Sequence, residues 1–410
     1  MKQPPMAHRQ YGYGMLRAVV RMCAMTVIVT ACQHSADTAV NRAGMRSWIQ
    51  GPPIVLHERA TITGTFARIV GVGVDSHGHI MVADGVAHHV DVYSSTGRFL
   101  RRVGRDGEGP GEFHAVTSIS VFHDSLLVLD GVLQRITVFA PYPDTSSVAR
   151  TIPAIAADGR EAWRSLMVDD AGDMFLQYVG VAMRFGRPGD RDVLVRELSP
   201  SGRFLSDSIA DVPDRDYMIS QTGDGHVVEP MPFGQASIVA LGPSNRLYFA
   251  RTGATSITVR RIGAGIVGTI PIPIPTRSVT ERDVDALIRS VESSGELLRT
   301  LTAKRWRRAW SKGRLPKTFP RMKSFVVDDS GWVWVNAVGP RDELVRRSWG
   351  NEYVSSGDTA LAVVIQPARK STHRVVLPDR GRVAMVRGGL LYAVSKDSLG
   401  VESVKVYAFR

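Results

Sequence analysis

Val74, Val121 and Val168 are spaced 47 residues apart. Each ends a short apolar stretch that runs into a turn rich in Asp, His or Gly. After Val74-Asp75-Ser76-His77-Gly78 come Ile80–Ala83, Val90-Asp91-Val92-Tyr93 and Thr96-Gly97-Arg98-Phe99-Leu100. After Val168-Asp169-Asp170-Ala171-Gly172 come Met174–Leu176, Leu194–Leu198 and Ser201-Gly202-Arg203-Phe204-Leu205. A period of about 40–50 residues carrying short alternating strands is the pattern of β-propeller blades, each a four-stranded antiparallel sheet. The length of 410 residues would by itself suggest several domains, but a repeat fold grows by adding units to one domain.

Three weaker copies follow, at Ser237–Phe249 with Ile257–Val259, Phe325–Asn336 with Ala362–Ile365, and Val383–Val394 with Val404–Tyr407. That makes six, and the expected fold is an all-β six-bladed propeller over 52–410. Ring closure calls for a further strand, because open sheet edges template aggregation. Ile54–Leu56 and Ala60–Ile62 precede the first full copy and are expected to complete the last blade.

The stretch Gly104-Arg105-Asp106-Gly107-Glu108-Gly109-Pro110-Gly111-Glu112-Phe113 resembles the blade junction of NHL-type six-bladed propellers, as do the Asp-x-x-Gly turns. The likeness covers about 54–410 and is weakest over 206–235 and 276–320. It implies fold more than function, because such propellers host unrelated activities. The glycine-rich loop lacks the Lys-Ser/Thr ending of a phosphate cradle and no helix follows it, so its glycines are read as backbone freedom at a blade crossing.

Residues 1–31 read as a signal segment. Lys2, Arg9, Arg17 and Arg21 form a basic start without acids, and Met22–Val29 is apolar but far short of the roughly 20 residues of a spanning helix. Val29-Thr30-Ala31-Cys32 resembles the lipobox of bacterial lipoproteins. The resemblance implies acyl chains such as palmitate on Cys32, with cleavage before it, and no other cofactor. Several chains together hold a protein on a membrane where one binds reversibly. Gln33 in place of Asp implies the outer membrane, and 32–51 reads as a flexible tether. The alternative is an ordinary signal peptide with an incidental cysteine, and Met15 is an alternative start. Both cysteines, Cys23 and Cys32, lie within the first 32 residues, so the body holds no disulfide and no Cys-based metal or redox site.

Without residues 1–32 the chain has 47 basic against 39 acidic residues, a formal +8. An exported location takes nucleic acid out of the expected partners of that charge.

Two clusters remain. His77, His79 and His89 are the candidate metal ligands among six histidines between 77 and 123, set against a plain turn or solvated role. Residues 276–320 break the blade rhythm. Ser278-x-x-Glu281 reads as a capping box, Val284, Leu287, Ile288 and Val291 follow at helical spacing, and Leu298, Thr302, Trp306 and Trp310 step along a second helix. Lys304, Arg305, Trp306, Arg308 and Trp310 are candidate contacts for an anionic partner or headgroups. The competing reading has the tryptophans packed on the blades and the charges solvated.

No Gly-x-Ser-x-Gly, His-Glu-x-x-His or Walker motif occurs, and the acids recurring at Asp75, Asp169 and Asp328 suit turn chemistry. The expected role is a membrane-anchored binding or scaffolding module of the cell envelope, taking a protein or small ligand on a propeller face or in the central opening. The alternative is a metal-dependent lyase or lactonase-like hydrolase with its site in the channel.

Overall fold

The computed structural model describes residues 51–144, 147–180, 192–222, 225–293, 299–347, 350–397 and 399–410. Val29, Thr30, Ala31, Cys32, the tether through residue 50, and Leu298 lie outside them.

The repeat period is the blade. Val74 and Val168 end inner strands (Ile69–Val74 and Glu161–Val168), and Val121 is one residue from the end of another (Val116–Phe122). The first blade runs in sequence order through Ile69–Val74, Ile80–Asp84, His89–Tyr93 and Phe99–Val103. The blades that start at Val116–Phe122, Glu161–Val168 and Ser237–Gly242 repeat this order. In the fifth, the order is Met322–Val327, Val333–Ala337, Thr359–Gln366 and Ser371–Pro378.

The sixth blade closes the ring. Arg382–Arg387, Leu390–Lys396 and Glu402–Phe409 take as their fourth strand Leu56–Phe66, the first of the chain. Leu56 pairs with Phe409 and Ile62 with Val404. The two early apolar stretches are therefore one continuous strand with a register shift between Glu58 and Ala60. Ile54 adds a hydrogen bond from its N–H to Arg374 O at 2.9 Å. Apolar side chains pack between neighbouring blades, as where Ile62, Val394 and Val404 meet Ile69, Val74 and Val82. Each such fully buried side chain contributes about 1.5–3 kcal/mol, so the closing strand is integral to the core.

The recurring acids are turn acceptors. Asp75 Oδ1 accepts from His77 N and His79 N at 3.0 and 2.7 Å, Asp169 Oδ1 from Ala171 N and Asp173 N, and Asp328 Oδ1 from Ser330 N and Trp332 N. Gly97 (φ +86°) and Gly202 (φ +87°) supply the left-handed residue of the two Gly-Arg-Phe-Leu turns. The Gly104–Phe113 loop is held by Arg135, whose guanidinium donates to Glu108 O, Gly109 O and Glu112 O at 2.8–2.9 Å.

Antiparallel order puts the links between blades and the second-to-third-strand loops at one end of the ring. All the large insertions are of these kinds, so they share a face. They are a hairpin (Tyr217–Thr222 and Gly225–Pro230) before the fourth blade, helices α1 (Glu281–Glu292) and α2 (Arg299–Ser311) before the fifth, and a hairpin (Asp342–Arg347 and Gly350–Ser355) within the fifth. Phe233, Leu287, Ile288, Val291, Trp306, Phe319 and Leu344 bury together beneath them. The capping box of α1 uses Thr280 and Asp283 in place of Ser278 and Glu281, because Ser278 is held in a bridge with Thr318.

Candidate functional site

The capped end of the ring holds a cavity of about 470 Å³, lined by the loops of the third and fourth blades and by the fifth and sixth blades. Inner strands begin at this end, so residues early in them reach the cavity. Lys323 lies second in Met322–Val327, and Arg382 opens Arg382–Arg387. Arg215 comes from the link after the third blade, between Phe204–Pro213 and Tyr217–Thr222. Asn351, Glu352 and Tyr353 enter from the fifth-blade hairpin, and Ser395, Lys396 and Glu402 from the sixth blade.

The carboxylates here are already engaged. Asp214 pairs with Arg164 and accepts from Tyr217 Oη at 2.9 Å. Asp216 pairs with Arg251 and accepts from Gln235 N at 2.8 Å. Glu402 accepts from Ile69 N at 2.5 Å and lies 3.2 Å from Lys396 Nζ, which also reaches Glu352 at 3.3 Å. Asp342 holds Lys323 at 2.7 Å.

Arg215 and Arg382 are different. Among the described residues neither has a carboxylate within ion-pair distance, and Arg382 donates only to Ile69 O, at 2.8 Å. Both residues are exposed at the open cavity they line, with protein packed around them. Burial pushes the Arg215 pKa down, and the charges of Arg164 and Arg68 push it the same way. Burial lowers Arg382 too, with Arg68 adding to it against the pull of Glu402 and Glu352. Tyr217, buried beside Asp214, is pushed up to about 12 and stays a neutral donor.

Two further lining groups lack partners. Neither Asn351 Oδ1 and Nδ2 nor Ser395 Oγ has solvent access or a hydrogen bond among the described residues. A buried polar group left unpaired costs about 1–3 kcal/mol, so native chains seldom keep one without a use for it.

The opposite mouth has the other sign. Asp169, Asp170, Asp328 and Asp329 line it with one cation, Arg387. Burial raises the pKa of Asp328, and the neighbouring Asp329 adds to that rise against bonds from Trp334, Trp332 and Ser330.

The sequence candidates fall elsewhere. Asp75, His77 and His79 come together at the first-blade turn on the uncapped side, with one ligand atom of each within 4.8 Å of the others. The Asp75 carboxylate is occupied there by two amides and by His79 Nδ1 at 2.7 Å. His89 is not with them. It sits at the far end of Ile80–Asp84, paired across from Asp84, with Nδ1 2.9 Å from Ala87 O.

On α2, Trp306 is fully buried and Arg305 is tied to Glu229 at 3.2 Å, so neither is offered to a partner. Trp310 lies half-buried under Lys317, 4.0 Å from its ring centre. Lys304 and Arg308 are exposed. Arg215, Arg382, Asn351 and Ser395 escape sequence reading because they come from different blades. The one available signal was the basic residue near the entry of several inner strands, at Arg68, Arg164, Lys323 and Arg382.

A family model described as a six-bladed beta-propeller (DUF5128) matches residues 68–142, the first blade and most of the second. No curated protein matches the sequence. Among solved structures, a member of the DUF4221 family from Bacteroides vulgatus superposes with a TM-score of 0.53 at 10% identity, covering 87% of this chain and 98% of that one. A gluconolactonase from Xanthomonas campestris gives 0.45 at 13% identity, covering 87% and 89%. A streptogramin B lyase gives 0.45 at 9%, covering 86% and 97%. At these identities the likeness concerns the fold alone: the chain is a six-bladed β-propeller.

Proposed function

We propose that the protein is a ligand-binding module of the cell envelope, held to a membrane by acyl chains on Cys32, and that its ligand occupies the capped cavity. The observation that carries this is a cavity of about 470 Å³ at the mouth of the ring, lined by polar residues from separate blades, Arg215, Asn351, Ser395 and Arg382 among them. Small-molecule sites are concave, of this size, and set by a few convergent polar groups. The cap favours the reading, because the insertions before the fourth blade and within the fifth bring residues to this mouth, and sites gather on loops that a rigid scaffold positions.

Asn351→Leu separates ligand from scaffold. If the amide waits for a ligand, the variant removes two unpaired polar groups, so the melting temperature stays level or rises. The same variant should lose retention of the small molecule that the wild-type chain keeps after equilibrium dialysis against a cell extract filtered to small molecules, read by mass spectrometry. A lowered melting temperature with retention unchanged overturns the assignment.

A further inference from the structure

We infer that the ligand of the capped cavity is a small anion, a molecule bearing phosphate or carboxylate groups, received by the Arg215 and Arg382 guanidinium groups. This rests on the cavity being the binding site and adds the ligand's charge class.

The carboxylates of the mouth are held by other cations: Asp214 by Arg164, Asp216 by Arg251, Asp342 by Lys323, and Glu352 and Glu402 together by Lys396. Arg215 and Arg382 are left over, with no ion pair among the described residues. Both residues are exposed at the cavity they line, and Arg68 acts on both as a third positive charge.

Gathering like charges around one cavity is unfavourable. A fold selected for stability alone would place a carboxylate there or remove an arginine. An anion in the cavity offsets that repulsion, and the planar guanidinium fork suits the paired oxygens of phosphate and carboxylate. Asn351 and Ser395 stand in the same wall. The chain's overall positive charge does not explain the cluster, because the other mouth of the channel is acidic.

The test uses the full chain and defined probes: inorganic phosphate, citrate and, as a cationic control, choline. Calorimetry at low ionic strength should show saturable binding of phosphate or citrate and none of choline. Arg215→Gln and Arg382→Gln should each weaken that binding at least about tenfold, the scale of a lost charge-assisted bond, while the unliganded variants melt at or above the wild-type temperature. Phosphate alone binding assigns a phosphorylated ligand, and citrate alone a carboxylate. Absence of saturable binding for both anions, or binding that both variants retain, overturns the inference. Retention of an uncharged extract compound that Asn351→Leu abolishes, without phosphate or citrate binding, would sink the anion assignment and leave the cavity assignment standing.

Discussion

The side chain of Asn336 hydrogen-bonds both backbone groups of Val383: Val383 N donates to Asn336 Oδ1 at 2.8 Å, and Asn336 Nδ2 donates to Val383 O at 2.9 Å. One amide thereby imitates a strand neighbour and fastens the fifth blade to the inner strand of the sixth. Ser324 Oγ accepts a further bond from the same Nδ2 at 2.8 Å. This inner strand opens with Arg382, so the clasp also positions the cavity.

Asn336→Leu keeps the volume but leaves a buried N–H and C=O unpaired. The expected loss is about 2–5 kcal/mol of unfolding free energy, since each unpaired buried group costs about 1–3 kcal/mol. Urea denaturation followed by tryptophan fluorescence would measure it. A midpoint equal to wild type would show that the clasp is dispensable.

Trp306 and its exposed neighbours on α2 should behave in opposite ways. Trp306 is fully buried among Leu287, Ile288, Val291 and Phe319, so Trp306→Ala should cost about 3–5 kcal/mol through the cavity it leaves. Lys304 and Arg308 are exposed, and Lys304→Ala with Arg308→Ala should alter stability by less than about 0.5 kcal/mol. If α2 receives an anionic partner, the double variant alone would lose it, and a pull-down of both proteins reads the difference. A stable Trp306→Ala would contradict the packing described for the cap.

Acid should act through Asp91, which is buried in the first blade. Burial works to raise its pKa, but bonds from His89 and Arg102 outweigh it and the net shift is downward. Arg102 stands directly across the strand pair and donates through Nε and Nη2 at 2.7 and 3.0 Å. With the folded value below 3.8, this carboxylate stabilises the fold above the unfolded pKa, and the contribution fades as pH falls through the folded value. Asp91→Asn should therefore unfold with a shallower pH dependence than wild type as the pH falls below about 4. Parallel curves for the two proteins would remove Asp91 from the acid response.

How much of this was legible in the sequence follows from what repeats. Inner and central strands recur at 47-residue spacing around Val74, Val121 and Val168, so the blades could be placed from pattern alone. A second recurrence went unread: Asp84-Gly85-Val86 and Asp130-Gly131-Val132, 46 residues apart. Asp84 accepts from Ala67 N at 2.8 Å and Asp130 from His114 N at 2.7 Å, each latching the link that enters its own blade. The hairpins at 217–230 and 342–355 have no second copy to reveal them. The cavity is hidden for a related reason, because Arg215, Asn351, Ser395 and Arg382 meet only after three blades have closed around them. The helix cap lies two residues later than Ser278-x-x-Glu281 suggests, since that pair and Thr280-x-x-Asp283 both suit a cap and only the tertiary bridge of Ser278 chooses between them.

The proposed anchor makes the last prediction. If Cys32 carries acyl chains, the protein should sediment with membranes and resist a high-salt wash, because the hold is apolar. Attachment through the +8 charge of the remaining chain would instead release in salt, since exposed charges are screened within about 10 Å at 0.1 M. Cys32→Ser should move the protein into the soluble fraction with its melting temperature unchanged. The closing strand begins at Leu56, beyond the residues the anchor uses, so attachment and folding are separable. Cys23→Ser should alter nothing, as that residue belongs to the segment the resemblance removes. A Cys32→Ser chain that still sediments through the salt wash would defeat the lipid anchor and direct attention to the basic surface around Lys304 and Arg308.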